Sequence, residues 1–583
     1  MFPYANEKRK WCVLKLPKAV LLSFLLPFLV GYSIIRAAGF EFCDMPRQRR
    51  REAHMYLEGS TSTGSSFAAF RRLWAQMSQS ARIGMWAMLA LGIFLRAFRL
   101  DTFEFKGDEL TAIMEGLSAP AQHWWIEHGM QSSVGIPNAP VFPYIMGLMT
   151  AGSADPYIIT AFFLAVNIAV LMLSVLFFAT FARDRTQFLL CLFLFSLSPY
   201  LILCSRKIWP PNLLLLFVIP LVLMILRVRE KPHLFLPIGL FASIAFQLHH
   251  SGVFYVILLI GFAAASFKLA PNEPAISAAN RPKTTLLWAV GGFIAFVLPF
   301  VPYVSFFFHH FQQSGVTQWA ARSQYMYFGT TALKWIVFTA TGNHFWAHLL
   351  SGSNSAWSWP APPFPGGVLI FCYLLALPFL LGFFSYAKAA VQYFRPASPG
   401  PAGRSDLKDL LCPLSIGYLF LIYFILRFVV HPHHYTILLP FSILALSEGI
   451  LLLYAYGKSW RSPVRVLLFA GLISYALQYP FVLSYVDANN GATGEYGICY
   501  REQRHAAQRI AASAGSGEVR INPAEAASED FSMPYRWAEL QNTIAYICRV
   551  EFGAKVLFNG SAEPGARELK LHHVGSKLEL EIE

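Results

Sequence analysis

Residues 157–181 read YIITAFFLAVNIAVLMLSVLFFATF, and the basic residues Arg183 and Arg185 follow closely. An apolar run of this length matches the roughly 17 to 25 residues with which an α-helix crosses hydrocarbon. It lacks the in-out alternation of a barrel strand, and a backbone in lipid must satisfy its own hydrogen bonds, so a helix is predicted. Similar runs lie on both sides of it, at 83–98, 186–204, 213–226, 233–246, 251–267, 285–308, 367–386, 411–430, 435–456 and 466–486. The array predicts an all-α polytopic membrane protein with about 11 to 12 transmembrane helices.

Composition agrees. The 583 residues are 56% hydrophobic and 13% charged, whereas a soluble chain carries about 25% charged residues. The formal charge of +14 is scattered between apolar runs and gathered on no polar domain, so nucleic acid is not an expected partner, and membrane orientation accounts for it better. Of the eight cysteines, Cys191, Cys204, Cys372 and Cys412 sit in apolar runs, where a thiol is a small hydrophobe. Cys499 and Cys548 share a polar region, and a disulfide between them is predicted if that region lies outside the cytoplasm.

Basic residues in short loops stay cytoplasmic. Taking Arg183 with Arg185, Arg227 to Lys231, Lys268 to Lys283, Lys388 to Lys408 and Lys458 to Arg465 as inside places the other loops outside. The parity closes only if the short run 139–150 does not span, so it is expected to lie beside the membrane or to re-enter it. Three parts follow: an N-terminal extension 1–80 with one apolar run at 19–35 that suits a signal anchor or an extra span; a transmembrane module 81–486 with a first outer loop 99–138 and a long outer loop 309–365; and a tail 487–583. The tail alternates in stretches such as 568–571 and 578–582 and is long enough for a small α/β or β extramembrane domain.

Ionisable groups at a membrane edge are costly, so their clusters mark candidate sites. The first outer loop gathers Arg99, Asp101, Glu104, Lys106, Asp108, Glu109 and Glu115 directly after a span. A carboxylate beside low-dielectric lipid can have its pKa raised toward neutrality, which suits a general base, and Asp108 and Glu109 fit that role; a merely solvated charged loop is the plain alternative. Arg206 and Lys207 run against the positive-inside bias and suit a phosphate at headgroup depth, with snorkelling to lipid as the alternative. His249 and His250 lie between two apolar runs, and Arg427, His431, His433, His434 and Tyr435 form a further group able to donate to an anion. Zinc is the sharper reading of these histidines, but paired histidines without a nearby acid or cysteine set are a weak metal signal, and no metal is assigned. Arg322, in the aromatic long loop, is a further candidate phosphate contact. No phosphate-binding glycine loop and no cytoplasmic segment long enough for a nucleotide-binding domain occurs, which disfavours an ATP-driven pump and a soluble nucleotide donor.

The order of these clusters, Gly107-Asp108-Glu109, then Ser198-Pro199 through Ser205-Arg206, then Gln247-Leu248-His249, then Arg427 through His434-Tyr435 to Leu439-Pro440, resembles the C-type membrane glycosyltransferases. It is most similar to bacterial relatives of the dolichyl-phosphate-mannose protein O-mannosyltransferases and the aminoarabinose lipid A transferases, over approximately residues 83–486. The resemblance implies transfer of a sugar from a polyprenyl-monophosphate donor to a protein, lipid or glycan acceptor on the non-cytoplasmic face, with inversion, in a bacterial inner membrane with the site facing the periplasm. By position, Asp108 matches the family's base, and Arg206, His249 and Arg427 match groups around the carrier phosphate. The full set of expected substrate-binding residues is Asp101, Arg206, Lys207, His249, His250, Arg322, Arg427, His431, His434 and Tyr435. No cofactor is assigned, a divalent cation being the one left open. The chain departs from the family at Thr111 and Ile113, at Asn138, and at Trp209-Pro210-Pro211-Asn212. The alternative from another class is a polytopic transporter or lipid flippase, which would place ionisable residues near span centres, where this sequence has few. A third reading is an inactive assembly or receptor subunit acting through its tail.

Overall fold

A computed structural model describes residues 65–130, 137–269, 281–310, 330–342, 374–394, 407–426, 432–455, 461–492, 496–514, 519–523, 534–554, 556–558, 567–574 and 577–582. Among them, seven helical segments are long and apolar enough to cross a membrane: Gln79–Ala97, Pro156–Phe181, His250–Phe267, Lys283–Val304, Lys408–Ile425, His433–Ala455 and Pro463–Asn489. The chain is thus largely helical, with the build of a multi-pass membrane protein. Among the described residues, several of the predicted apolar runs form shorter helices. The run 186–204 breaks before Pro199, which has no N–H to continue the helix, while the Ser198 hydroxyl accepts from the Leu201 N–H at 3.3 Å.

In chain order, α1 (Ser66–Gln76) leads to α2 (Gln79–Ala97). Next come α3 (Gly107–Ser118), α4 (Val141–Gly152), α5 (Pro156–Phe181), α6 (Arg185–Ser196), α7 (Pro199–Cys204), α8 (Leu214–Ile225), α9 (Phe235–Leu248) and α10 (His250–Leu269). Then α11 (Arg281–Val297), α12 (Val301–His310), α13 (Thr330–Thr341), α14 (Ala376–Phe394), α15 (Leu411–Leu426), α16 (Leu439–Ala455) and α17 (Arg461–Asn489) complete the apolar part. The run 139–150, expected not to span, forms α4, whose 12 residues rise only about 18 Å against roughly 30 Å of hydrocarbon. It packs on α3 so closely that a Cβ added to Gly116 would lie 2.7 Å from the Met146 carbonyl carbon.

Among the seven long segments the most buried is the one that contains α16, which is buried without a break from Leu439 through Leu451. It meets α14 backbone to backbone: a Cβ at Gly449 would lie 1.6 Å from the Pro378 carbonyl oxygen, and one at Gly382 1.7 Å from that of Ala445. Small residues permit this approach, which substitutes dispersion contacts for a hydrophobic force that lipid does not supply. Gly239 and Gly292 join α9 to α11 in the same way, with 1.9 Å from a Gly239 Cβ to the Gly292 oxygen.

Two buried charges also organise the bundle. Arg96 donates to the carbonyls of Gly92 (2.8 Å), Ser196 (2.7 Å) and Phe195 (3.4 Å). The guanidinium thereby satisfies carbonyls left open where α6 stops, a position at which a cation also meets the negative end of the helix dipole. Glu448 of α16 is 1% exposed and pairs with Arg183 Nη1 at 2.5 Å, with Ser385 Oγ at 3.2 Å and Gln187 Nε2 at 3.4 Å.

The described residues of the tail form both helices and strands. A short hairpin, β1 (Gly491–Ala492) with β2 (Gly497–Ile498), precedes α18 (Tyr500–Ala514). The elements β3 (Val519–Pro523), α19 (Pro534–Phe552), β4 (Val556–Phe558), β5 (Arg567–Val574) and β6 (Lys577–Ile582) follow. The sheet order is β4-β3-β5-β6, with β3 parallel to both neighbours and β5 antiparallel to β6. The predicted disulfide is overturned: Cys499 and Cys548 are both free and buried, and Cys548 Sγ donates to the Ala507 carbonyl at 3.6 Å. Each thiol is one apolar contact of the domain core, so no partner thiol is needed to cover it.

Candidate functional site

The acidic loop begins with a reversal. Arg99 takes a left-handed backbone (φ 54°) at the end of α2, and a single 3-10 turn at Leu100–Thr102 follows. The next residues run extended, so successive side chains point to opposite sides. Phe103 and Phe105 are 0% and 1% exposed and turn to the tail domain, where Phe103 stacks on Tyr500 with centroids 4.5 Å apart. Glu104 and Lys106, on the alternate positions, form an ion pair. Glu109 accepts from the Lys106 backbone N–H at 3.0 Å, satisfying an open donor at the start of α3. That bond carries Glu109 inward, to 0% exposure. Asp108, one residue earlier, is exposed.

Lys207, just past α7, meets this loop. Its Nζ lies 3.2 Å from Glu104 Oε1 and 3.3 Å from Glu109 Oε1, and 4.7 Å above the Trp209 ring. Burial works to raise the Glu104 carboxyl, but the two lysine ammonium groups outweigh it and hold it below its ordinary range. Burial pushes Glu109 up to about 7, with Lys207 opposing and Glu104 and Asp108 adding to the rise. Lys207 itself loses hydration, yet the carboxylates, Asp108 among them, hold it well above the usual lysine range. The arrangement is a buried ammonium between carboxylates with a solvent-facing carboxylate at its mouth.

From Lys207 an unbroken series of rings leads to the histidines. Trp209 meets His433 edge to face at 4.3 Å, and His433 lies 4.2 Å from His434 and 5.4 Å from His249. His250 lies 3.9 Å from His249 and 4.4 Å from His434, centroid to centroid. His249 holds the extended break between α9 and α10, and His434 sits in the 3-10 turn Pro432–Leu438 before α16. One nitrogen each from His249, His250 and His434 lies within 4.8 Å of the others, so among the described residues these three could share a metal ion. Tyr435 is buried and faces Tyr423 at 5.5 Å rather than the imidazoles.

The other expected residues divide. Arg206 is turned from Lys207 and donates to the Tyr479 hydroxyl and to Thr102 Oγ1 (3.2 Å), bracing the root of the acidic loop. Asp101 faces the tail domain, 4.0 Å from Arg501. Arg322, Arg427 and His431 lie outside the described residues. Thus Glu109 and Lys207 form one cluster with Asp108 near it, His249, His250 and His434 form a second, and Trp209 and His433 link the two, whereas Asp101, Arg206 and Tyr435 lie around them.

Glu104, Glu115 and His433 stood in the groups read from sequence but were not assigned as site residues, and Trp209 and Glu539 were not named as site candidates. Glu104 carries a readable signal, since it alternates with two phenylalanines in an extended stretch. Trp209 and His433 bridge lysine and histidines, and nothing local in sequence marks that role. Glu115, two turns along α3 from Asp108 and so on the same face, is pushed up to about 7 by burial. Glu539 of α19 approaches Gly107, where its carboxyl carbon would lie 2.9 Å from an added Cβ.

Compared with protein-family models and with curated proteins, the chain matches none.

Proposed function

We propose that this chain is an inverting membrane glycosyltransferase that moves a sugar from a polyprenyl-monophosphate donor to an acceptor hydroxyl or phosphate. Its site faces the non-cytoplasmic side, which in a bacterial inner membrane is the periplasm. The single observation that carries this reading is the continuity of Asp108, Glu109 and Lys207 with the histidines through Trp209 and His433. Asp108 takes the proton of the acceptor hydroxyl, whose oxygen bonds to the anomeric carbon. The bond from that carbon to the phosphate oxygen breaks, its electron pair leaving with the lipid phosphate. Lys207 and the adjacent imidazoles stabilise the charge that gathers there, which a water-poor site makes more effective than bulk solvent. Glu104 and Glu109 fix the ammonium in place, and the membrane brings the donor already activated.

The test is transfer by purified protein in membranes supplied with polyprenyl-phosphate sugars, with Asp108→Asn alongside. The variant should lose at least about a hundredfold in rate, and full transfer by it removes Asp108 as the base. One feature favours the transporter reading, namely the Arg183–Glu448 pair inside the bundle. Every oxygen of Glu448 is engaged by Arg183, Ser385 or Gln187, which fits a clamp between helices better than a carrier site. Uptake of labelled substrate into vesicles without covalent product reverses this order.

A further inference from the structure

We infer that His249, His250 and His434 bind a transition-metal ion of the Zn2+ class, with one coordination position open to an anionic ligand. The donor nitrogens converge within 4.8 Å from two separate stretches of chain, the α9–α10 break and the turn before α16. His249 and His434 are 7% and 0% exposed. All three donors are imidazoles. Such a set suits Zn2+, Cu2+ or Ni2+ and gives little to Mg2+ or Ca2+, which demand oxygen.

Ser251 fixes the His249 ring from the side: its hydroxyl is 2.8 Å from Nδ1 and its backbone N–H donates to the same nitrogen at 3.2 Å, the kind of supporting contact that orients a ligating histidine. With Zn–N bonds of about 2.0 Å, tetrahedral ligand atoms stand roughly 3.3 Å apart, so the rings must rotate inward on loading.

Three neutral ligands leave the ion its full charge, which an anion at the fourth position offsets. Lys207 is joined to the histidines through Trp209 and His433, and a phosphate group is the anion that the donor class proposed above would bring there; this last step, unlike the metal site itself, rests on that reading.

The experiment is a Co2+ titration of the purified full chain in detergent after dialysis against chelator. Expected are intense visible bands of tetrahedral Co2+, saturating at about one ion per chain, displaced by Zn2+ and perturbed by inorganic phosphate. His434→Ala and, as a milder change, His434→Gln and His249→Gln should weaken binding at least about tenfold, while Asp108→Asn leaves the bands unchanged. A wild-type titration without tetrahedral bands overturns the inference, and so does binding that survives all three histidine changes. A chain that binds the ion but transfers no sugar keeps the metal site and loses the glycosyltransferase reading; transfer by a chain that takes up no ion does the reverse.

Discussion

Burial raises Glu109 to about 7 while Lys207 stands 3.3 Å away, so the charge of the loop cluster changes within the neutral range. Above that pH the Glu104 and Glu109 carboxylates both face the ammonium groups of Lys106 and Lys207; below it Glu109 is neutral and the cluster carries one negative charge fewer. Binding of an anionic donor should therefore strengthen as pH falls through about 7, and Glu109→Gln should hold the acid-side affinity at every pH. A pH profile of donor affinity for the two proteins reads this directly. The folded chain keeps this proton more tightly than an unfolded one, so the group's contribution to stability declines as pH climbs from the ordinary carboxyl range toward 7. Lys207→Met should be costlier, about 3 to 5 kcal/mol, because it strands buried carboxylates; a fall in melting temperature that Lys207→Arg largely restores is the expected result. At this scale the sequence was a partial guide. Asp108, Glu109, Lys207 and the histidines stand out because charged groups are rare in so apolar a chain. The opposite orientations of Arg206 and Lys207 are set by tertiary partners, Tyr479 on one side and Glu104 on the other, that neighbouring residues do not reveal.

Helices are legible wherever an apolar run is uninterrupted, and α2, α5 and α10 lie close to the runs that predicted them. The breaks are harder. Ser198-Pro199 ends one helix and starts another through an N-cap, so a run that reads as one span becomes two short helices. The partner of that break, Arg96, sits 100 residues away from the Ser196 carbonyl it serves, beyond any local pattern. Close helix contacts are equally silent in a hydropathy reading, since glycine is neither strongly apolar nor polar. Gly449→Val should drive α16 off the Pro378 carbonyl and abolish monodisperse protein on size-exclusion chromatography. Gly417→Ala on α15, where an added Cβ meets nothing within 4 Å, should behave as wild type.

Across the whole molecule, the tail domain grips the acidic loop. The Tyr500 N–H donates to the Phe103 carbonyl at 2.9 Å, Gln503 Nε2 to the Phe105 carbonyl at 2.8 Å, and the Tyr496 hydroxyl to that of Thr102 at 2.5 Å. The sequence made the tail a separate body, because its polar composition differs from the rest; that it braces the candidate site depends on pairings no composition contains. Removing residues after 489 should leave an inserted helical bundle whose loop is cut by protease and which transfers no sugar, measured by limited proteolysis beside the transfer assay. The order of synthesis follows from the same contacts. Gln503 and Phe105 are 398 positions apart, so the loop leaves the ribosome long before the groups that shape it. A nascent chain still being threaded into the bilayer holds the carboxylates of this loop in an unset strand until translation reaches α18.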